Sequence, residues 1–438
     1  MSLETPDRVR RLQRKLYVKA KQEPKFRFYL LYDKVSRADI LAHAYHLSRA
    51  ARGAAGVDGV EFAEIEAAGV EPWLAALGKE LRERTYRPAP VRRVMIPKQG
   101  GGERPLGIPT IRDRVAQTAA KLVLQPIFEA DFEDSAYGYR PRRSAQDAVR
   151  AVHAALCDGY TEVVDADLSK YFDTIPHPEL LQSVARRVMD RHVLRLVKMW
   201  LKVPVEERDE RGRGRLSGGK RSTQGTPQGG VISPLLANIY MHRFLRAWQQ
   251  RNKGQEYRAR LISYADDFVI VSRGHAAAAL TWTRAVMERI GLQLNDAKTS
   301  IRNARTASFD FLGYTFGPER SRLDGHWYLA AKPSTKSVHR VKAGVRAVLR
   351  PGNHARWPAV AADLNRRLQG WAAYFGYGTR ALAYRAIDHY VADAVQHFLR
   401  RRHKVPTRGT RRFGPQHVFG DFGVLRLESR VVRSSACV

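Results

Sequence analysis

Two groups of aspartates stand in apolar, β-prone surroundings and could hold metal ions. One is Asp266 and Asp267 in LISYADDFVIV, and the other is Asp165 and Asp167 in VVDADLSKYFD. Adjacent carboxylates repel one another, and apolar neighbours raise the cost of ionising them, so a cation is expected nearby. A phosphoryl-transfer polymerase holds two divalent ions on a few carboxylates, and Mg²⁺ prefers such oxygen ligands. The pattern predicts metal-dependent chemistry on nucleotides, with an acidic hairpin turn as the structural alternative.

The residues alone leave open which acid of the earlier group would bind metal. Asp165 and Asp167 are two apart on a predicted strand and so share one face of it. Asp167 lies nearer the end of that strand, and we favour it on this ground.

Three further segments suit a nucleotide and its phosphates. Lys98 and Arg104 flank the glycines of IPKQGGGERPLG, so one hairpin carries two cations on its arms. In GTPQGGVISP the glycines allow close backbone approach, and Gln228 offers an amide edge to a base pair or sugar. Tyr171 and Phe172 could form a wall of a sugar pocket. The structural alternatives are a solvated basic hairpin and a buried aromatic pair.

The composition indicates a polyanionic partner. The 438 residues include 76 Lys and Arg against 43 Asp and Glu, a formal net charge of +33. Residues 332–438 alone hold 21 basic and 5 acidic residues, a net +16. Folding does not require such an excess, and nucleic acid is its usual partner. We therefore expect a region near the C-terminus that binds a nucleic-acid backbone, with a solvated basic face as the alternative.

Cysteine usage and hydropathy predict a cytoplasmic protein. The two cysteines, Cys157 and Cys437, cannot form a disulfide framework or a cysteine zinc site. The N-terminal segment has no apolar core, and no uninterrupted run of about 18 apolar residues occurs. Secretion and membrane insertion are therefore not expected.

Predicted strands and helices, which must position these residues, alternate up to about residue 330. Only helices are predicted after that point. Strands are expected at 161–168, on both sides of Asp266 and Asp267, and as strand pairs within 86–110 and 308–316. Long helices are expected at 112–132, 178–201 and 233–250, and residues 207–230 form a polar, basic, glycine-rich segment.

These segments, in their order, resemble the sequence blocks of reverse transcriptases. The segments are GVDGV, IPKQGGGERPLGIP, SAYGYRPRRSAQDA, VVDADLSKYFDTIPH, GTPQGGVISPLLANIYM, SYADDFVIV, GLQLNDAKT and FDFLGYTF. With LNRRLQGWAAYFGYG after them, the set closely resembles group II intron-encoded reverse transcriptase/maturases over roughly residues 30–400.

The resemblance implies an α+β fold, a right-hand polymerase with fingers, an antiparallel-sheet palm and an all-helical thumb. The expected divisions are a basic helical N-terminal extension (1–50), fingers and palm (51–330), a thumb or maturase domain X (331–405), and a basic C-terminal tail (406–438). Many relatives also carry an HNH endonuclease. The tail here has no cysteine pairs and too little length for one, so second-strand cleavage is not expected.

The resemblance also implies roles for single residues. Asp167, Asp266 and Asp267 fall on the metal-binding triad, which favours Asp167 over Asp165. The other matched positions are the pyrophosphate-assisting Lys298, the triphosphate-contacting Lys98 and Arg104, Tyr171 where an aromatic residue blocks a nucleotide 2′-hydroxyl, Gln228 beside the incoming nucleotide, and the primer grip of Phe311, Leu312 and Gly313.

The implied activity is copying of RNA into DNA from a primer 3′-hydroxyl, using dNTPs and two Mg²⁺ ions, with Mn²⁺ as the alternative ion. The implied partners are the template–primer duplex, a DNA target and a group II intron RNA whose splicing and mobility the protein promotes. In the basic helical region, Trp371, Tyr374, Phe375 and Tyr377 suit stacking on nucleic acid, with a helix-bundle core as the alternative for Trp371 and Phe375.

Two other functions compete with this one. A maturase that binds RNA without polymerising would be expected to have lost the acids, and all three are present. A domesticated relative in phage defence or CRISPR adaptation is the second competitor. The sequence does not address the oligomeric state.

Overall fold

Helices and strands are interspersed up to residue 333, and helices follow in the part of the chain that is described. The computed structural model describes residues 4–97, 102–208, 214–321 and 324–430. The helices are α1 (Asp7–Gln22), α2 (Tyr32–Val35), α3 (Ala38–Ala50), α4 (Phe62–Ala68), α5 (Val70–Arg82), α6 (Ile111–Glu129), α7 (Ala145–Cys157), α8 (Tyr171–Thr174), α9 (His177–Ala185), α10 (Arg191–Leu201), α11 (Ser233–Gln250), α12 (Lys253–Glu256), α13 (Ala276–Arg289), α14 (Thr335–Val348), α15 (Trp357–Tyr374), α16 (Ala381–Arg402), α17 (Thr410–Phe413) and α18 (Pro415–Phe419). The strands are β1 (Val91–Pro97), β2 (Glu103–Ile108), β3 (Glu162–Asp167), β4 (Pro204–Arg208), β5 (Gly214–Gly218), β6 (Ala259–Tyr264), β7 (Asp267–Ser272), β8 (Ser300–Asn303), β9 (Phe309–Phe311), β10 (Tyr314–Arg320) and β11 (Trp327–Pro333).

The helices predicted in the first 50 residues form and pack onto α6. Helix α6 begins where the Thr110 hydroxyl accepts a hydrogen bond from the backbone N–H of Asp113, and most of its side chains are buried. Helices α1 and α3 both lie against it. Residues 7–50 therefore share one hydrophobic core with the fingers and palm, and the division at residue 50 stays a prediction.

The fingers contain a four-stranded sheet in the order β2-β1-β4-β5. The two strands predicted within 86–110 are confirmed, since β1 and β2 are antiparallel from Arg92–Ile108 to Pro97–Glu103. Most of the predicted glycine turn between them lies outside the described residues. The polar segment at 207–230 contributes strand structure that its composition did not indicate. Strand β4 pairs in parallel with β1, and Arg93 forms an ion pair with Glu207 between them.

The palm is an antiparallel sheet in the order β6-β7-β3-β8, which confirms the predicted fold class. The two strands predicted on either side of the acid pair are β6 and β7. Alternate side chains of these strands enter two different hydrophobic clusters, so the sheet is covered on both faces. This double burial explains the nearly continuous apolar runs around the aspartates.

The single helix predicted at 178–201 is wrong, because the chain forms α9 and α10 with a break at 186–190. At the break Asp190 caps α10 by accepting a hydrogen bond from the N–H of His192 (2.9 Å). The same carboxylate accepts bonds from the N–H groups of Leu31 (2.9 Å) and Tyr32 (2.8 Å). The break is thus stabilised by a segment distant in sequence, which helical periodicity does not reveal.

The thumb is a bundle of α14, α15 and α16 with its own core, and residues 410–430 fold against it. Asp388 in α16 accepts hydrogen bonds from the N–H groups of Leu427 (2.9 Å) and Glu428 (2.8 Å). Asn365 in α15 donates to the Gly423 carbonyl (2.8 Å). The described part of the predicted tail is therefore packed on the thumb, and the boundaries at 331 and 406 stay predictions.

In the described ranges, no helix combines the length and the apolar character needed to cross a bilayer.

Candidate active site

The acid pair stands on a sharp turn that we call the palm turn (Tyr264–Asp267). Ala265 has φ +59, a conformation that non-glycine residues rarely adopt. The segment before α7 supports this turn from behind, because the N–H of Tyr137 donates to the Ser263 carbonyl (2.8 Å). Gly138 lies so close that a Cβ atom there would be 2.3 Å from the nitrogen of Ala265. The palm turn is therefore held by tight backbone packing within the palm.

The structure places Asp167 directly opposite Asp267. The two residues are cross-strand partners at the last register position of β3 and β7, where opposite side chains are close neighbours. Asp165 is two positions back, opposite Val269, and it does not line the cleft described below. Of the two alternatives, it is Asp167 that lies with Asp266 and Asp267 at the strand ends.

The carboxylates share a site that disfavours negative charge. Burial, followed by repulsion from Asp266, Asp167 and Asp165, raises the pKa of Asp267 to about 6. The pKa of Asp266 is also raised, first by burial and then by Asp167, whereas Arg104 and Lys298 oppose the rise. A cation bound between the strand ends would relieve this repulsion.

Lys298 and Asn295 contact Asp167 from the segment after α13. The Nζ atom of Lys298 is 2.9 Å from Oδ2 of Asp167, and the pKa of Lys298 is raised mainly by this hydrogen bond. The Asn295 side-chain amide donates to the same oxygen (3.3 Å), and its backbone N–H donates to the Asp167 carbonyl (2.8 Å). The predicted Lys298 therefore lies beside the predicted triad.

The donor set fits a divalent cation in chemistry. Three aspartates stand at two adjacent strand ends, and oxygen ligands of this kind suit Mg²⁺. Nowhere in the described ranges do three His, Cys, Asp or Glu side chains converge on one metal-sized point. Asp167 is directed to Lys298 here, so metal binding would require this side chain to turn.

An open cleft of about 1480 Å³ lies above the strand ends, between the fingers and the palm. Its walls include most of the predicted site residues: Asp167, Asp266, Lys298, Arg104, Tyr171 and Gln228. Arg104 is exposed on β2 and is close enough to Asp266 to lower its pKa. The predicted partner cation, Lys98, lies outside the described residues.

The PQGG segment packs against the fingers hairpin. The N–H of Gly107 in β2 donates to the Gln228 carbonyl (2.6 Å), and Gly229 has φ +106. A Cβ atom at Gly229 would lie 2.2 Å from the Gly107 carbonyl oxygen. These glycines therefore allow the PQGG segment to approach β2 closely, and this contact positions one edge of the cleft. At that edge the Gln228 side-chain amide donates to Asp173 (3.2 Å).

Tyr171 lines the cleft but is largely buried. Its exposed fraction is 2%, and its hydroxyl donates to the Ala237 carbonyl (2.6 Å). The ring, and not the hydroxyl, is what this residue can present to a sugar. Phe172 lies edge-on to it (centroids 5.6 Å apart) and is partly exposed.

The predicted primer-grip residues form a second sharp turn, the grip turn (Phe311–Tyr314), between β9 and β10. Leu312 has φ +50 and Gly313 has φ +80, whereas Phe311 is buried. Its supports come from the thumb: the Ser337 hydroxyl donates to the Gly313 carbonyl (2.9 Å) and the Tyr374 hydroxyl to the Leu312 carbonyl (2.9 Å).

The thumb aromatics form the joint between thumb and palm. The Trp371 and Phe375 rings are 4.7 Å apart, and Phe375 also packs on Tyr314 (5.1 Å). The Tyr377 hydroxyl is 2.7 Å from Nδ1 of His153 in α7. Phe375 is buried in a cluster shared with the palm, and Trp371 is partly buried between that cluster and the thumb core.

Sequence reasoning missed several residues that line the cleft, among them Tyr139, Asp173 and Asn295. Tyr139 has φ +55 and is 47% exposed. A signal existed for Asn295, which precedes Lys298 by three residues in LNDAK, so one turn could present both to Asp167. The positions of Tyr139 and Asp173 depend on tertiary packing.

Comparison with known proteins gives two matched regions. Residues 96–316 match the reverse transcriptase (RNA-dependent DNA polymerase) family, and residues 338–414 match the maturase-specific domain of group II introns.

Two relatives illustrate the range of similarity. Protein YkfC of Escherichia coli (strain K12) is 35% identical over 369 residues, covering 75% of this chain and 93% of that protein. The group II intron-encoded protein LtrA of Lactococcus lactis subsp. cremoris is 36% identical over 165 residues, covering 37% of this chain and 26% of LtrA. The match thus spans nearly all of YkfC but about a quarter of LtrA. A solved telomerase from Candida albicans, in complex with a fragment of telomeric RNA, covers 81% of this chain and 70% of its own, with 12% identity and a TM-score of 0.42.

Proposed function

The chain belongs to the group II intron reverse transcriptases and maturases, which are RNA-directed DNA polymerases, and we propose that it extends a primer 3′-hydroxyl with dNTPs on an RNA template by two-metal phosphoryl transfer. We propose further that it binds its own group II intron RNA and promotes splicing and mobility of that intron. The observation that carries the polymerase proposal is the cross-strand pair of Asp167 and Asp267 with Asp266 beside it, because Asp167 and Asp266 line the cleft.

The three aspartates are the proposed ligands of two Mg²⁺ ions. When bound there, the ions supply Lewis acidity for attack by the primer hydroxyl and departure of pyrophosphate. Burial and mutual repulsion raise the pKa of Asp266 and of Asp267, so keeping these acids together in ionised form destabilises the folded protein. This cost is expected at a site built for cations rather than at an ordinary surface turn.

The cations of the cleft are proposed to bind the triphosphate. Arg104 reaches into the cleft from β2, and Lys98 is the proposed second contact by its match to the family. Lys298 is paired with Asp167. Release from this pair would free a protonated ammonium group for the departing pyrophosphate, and its raised pKa keeps the proton in place until then.

The remaining predicted residues would orient the nucleotide and the primer. The ring of Tyr171 forms a wall against the sugar, and Gln228 borders the incoming nucleotide from the PQGG segment. The grip turn would position the primer strand, and its contacts with Ser337 and Tyr374 link this position to the thumb.

The thumb supports the proposed RNA contact by its charge. Its helices bury an apolar core and leave cations on their outer faces, among them Lys336, Arg340, Arg346, Arg366 and Arg367. Such a surface suits the phosphate backbone of a structured RNA.

Primer extension tests the polymerase proposal. The purified full chain, with poly(rA)/oligo(dT), dTTP and Mg²⁺, should form product, and Asp266→Asn should abolish it because one ligand charge is lost. Asp33→Asn is the matched control, since this aspartate is exposed and its pair with Lys34 lies outside the cleft. Absence of product from folded wild-type protein would refute the proposal.

A splicing assay with the intron RNA that surrounds the reading frame tests the maturase proposal separately. Wild type and Asp266→Asn should both accelerate splicing, because RNA binding by the thumb does not use the cleft aspartates. A wild type that polymerises but leaves splicing unchanged would remove the maturase proposal and keep the polymerase one.

A further inference from the structure

An exposed tryptophan stands near the end of the palm sheet opposite the aspartates. Strand β3 begins there with Glu162, which pairs with Ser272 of β7 and Asn303 of β8. At about 3.3 Å per residue, this end is roughly 17 Å from Asp167. Trp327, the first residue of β11, is 68% exposed, more than any other large hydrophobic side chain in the described ranges.

A small cavity joins this tryptophan to the end of the sheet. Its volume is about 280 Å³, and Trp327 shares its walls with Leu156, Cys157, Arg305, Pro318 and Tyr328. Arg305 follows β8 by two residues and is exposed. Its guanidinium makes no hydrogen bond or ion pair within the described residues, so it is available to a ligand.

The surroundings of this cavity are basic. The loop after Cys157 carries Tyr160, whose ring lies under the guanidinium groups of Arg260 (4.5 Å) and Arg273 (4.3 Å). Asp158 in the same loop is already paired with Arg260 (2.7 Å). On the other side of the loop, the N–H of Ala304 donates to the Thr161 carbonyl (2.8 Å), which places Arg305 alongside.

An exposed indole face beside an unpaired guanidinium is a combination that recognises unpaired nucleotides. Bases stack on aromatic rings, and a neighbouring cation contacts the phosphate. We propose that Trp327 and Arg305 form a binding site, the Trp327 site, for one unpaired nucleotide of a single-stranded nucleic acid. The base lies on the indole and the phosphate lies at Arg305. This site is outside the cleft and takes no part in phosphoryl transfer.

The Trp327 site is tested by binding of labelled oligonucleotides to the full chain, followed by fluorescence anisotropy at salt high enough to suppress nonspecific contacts. Trp327→Ala should weaken binding of single-stranded oligomers about 5- to 50-fold, as expected for loss of one stacked base. A blunt duplex should bind nearly as before. Trp327→Phe should recover much of the loss because it restores an aromatic face.

Arg305→Gln tests the phosphate contact. Binding should weaken, and the slope of log affinity against log salt should fall by about one phosphate contact. Parallel titrations with oligo(rU) and oligo(dT) identify the strand. A loss confined to oligo(rU) assigns the site to RNA, whereas equal losses show base stacking without sugar discrimination, and both results support the proposal.

Tyr29→Ala is the matched control, since Tyr29 is similarly exposed (63%) but lies near the N-terminus. It should change binding less than about two-fold. Thermal melts establish that each variant is folded. Extension of a short primer–template whose single overhang is the few template nucleotides to be copied should be unchanged. Unaltered single-strand affinity in folded Trp327→Ala overturns the proposal. An equal loss of single-strand affinity in Tyr29→Ala also overturns it. So does a Trp327→Ala variant that changes its oligomeric mass but keeps its nucleic-acid affinity.

Discussion

The palm turn and the grip turn are built alike but are supported by different parts of the molecule. Each places a non-glycine residue at positive φ between two antiparallel strands, Ala265 in one and Leu312 in the other. Gly138, within the palm, packs against the first. Ser337 and Tyr374, in thumb helices, hold the second.

The difference separates the chemistry from the placement of the substrate. The contacts that hold the palm turn come from the palm, which also contains the strands that carry the aspartates. A displacement of the thumb therefore leaves the proposed metal site intact. The grip turn is attached to the thumb and must follow it. We therefore expect damage to the palm turn to stop nucleotide addition, and damage to the grip turn to shorten products.

The largest effect is expected for Gly138→Ala. The added Cβ would lie 2.3 Å from the nitrogen of Ala265, and backbone cannot move aside cheaply. Thermal and denaturant unfolding should show a loss of about 3 kcal/mol, and single-nucleotide addition should fall at least about ten-fold. Gly370→Ala is the control, because a Cβ there meets nothing within 4 Å and alanine favours the interior of α15. A Gly138→Ala enzyme with normal turnover would contradict the rigid support proposed for the palm turn.

A smaller effect is expected for Gly313→Ala in the grip turn. Its φ of +80 strains any L side chain, and the Cβ would lie 3.2 Å from the Ser337 hydroxyl oxygen. Unfolding should show a loss of about 1–2 kcal/mol. Single-nucleotide addition should persist at saturating primer, whereas product length on a long template should drop. Equal losses in both assays would remove the distinction between the two turns.

Tyr374→Phe should have a still smaller effect, because it deletes only the hydrogen bond to the Leu312 carbonyl. The expected loss of stability is about 1 kcal/mol. The dissociation rate of the primer–template should rise while the chemical step, measured by rapid quench, stays the same. Tyr29→Phe, which is exposed near the N-terminus and away from the cleft and the Trp327 site, serves as the matched tyrosine control. A slower chemical step in Tyr374→Phe would show that the grip turn also affects the aspartates.

The smallest effect is a pH dependence confined to the palm turn. The pKa of Asp267 is raised to about 6, so between its ordinary value of 3.8 and about 6 the folded chain holds more proton than the unfolded chain. Its contribution to stability is therefore present at low pH and is lost as pH rises through about 6. Without metal, wild type should therefore be less stable relative to Asp267→Asn at pH 7 than at pH 5. The melting temperature of wild type minus that of the variant should be lower at pH 7.

Added Mg²⁺ at pH 7 should raise the melting temperature of wild type more than that of Asp267→Asn, because bound metal stabilises the folded state. The stability difference between wild type and Tyr374→Phe should not vary over this pH range. A difference between wild type and Asp267→Asn that does not change with pH would show that the pKa of Asp267 is not raised in the folded protein.

Much of the fold could be predicted from local pattern. Helix α11 was predicted at its observed bounds, because proline follows the first residue and apolar side chains recur with helical spacing. The strands on both sides of Asp266 were predictable because β-branched residues crowd there. The break between α9 and α10 was not, since Asp190 is held by Leu31 and Tyr32, far away in sequence.

The candidate site divides in the same way. The acids, the basic hairpin and Lys298 were recognisable from residue type and motif order. The burial of Tyr171, the contact of Gly229 with Gly107 and the place of Tyr139 in the cleft were not. Each of these three features depends on contacts with residues of other helices and strands that are distant in sequence.

The sequence by itself determined the chemistry available to this protein. The two acidic strand ends, the excess of basic residues and the order of the motifs can all be read from it. Residue type fixes the charge, and local spacing fixes the periodicity of helices and strands. Only the tertiary structure decided that Asp167 faces Asp267 and that the thumb holds the grip turn. Strand register and helix docking arise from packing between distant segments, and a local pattern carries no record of those partners.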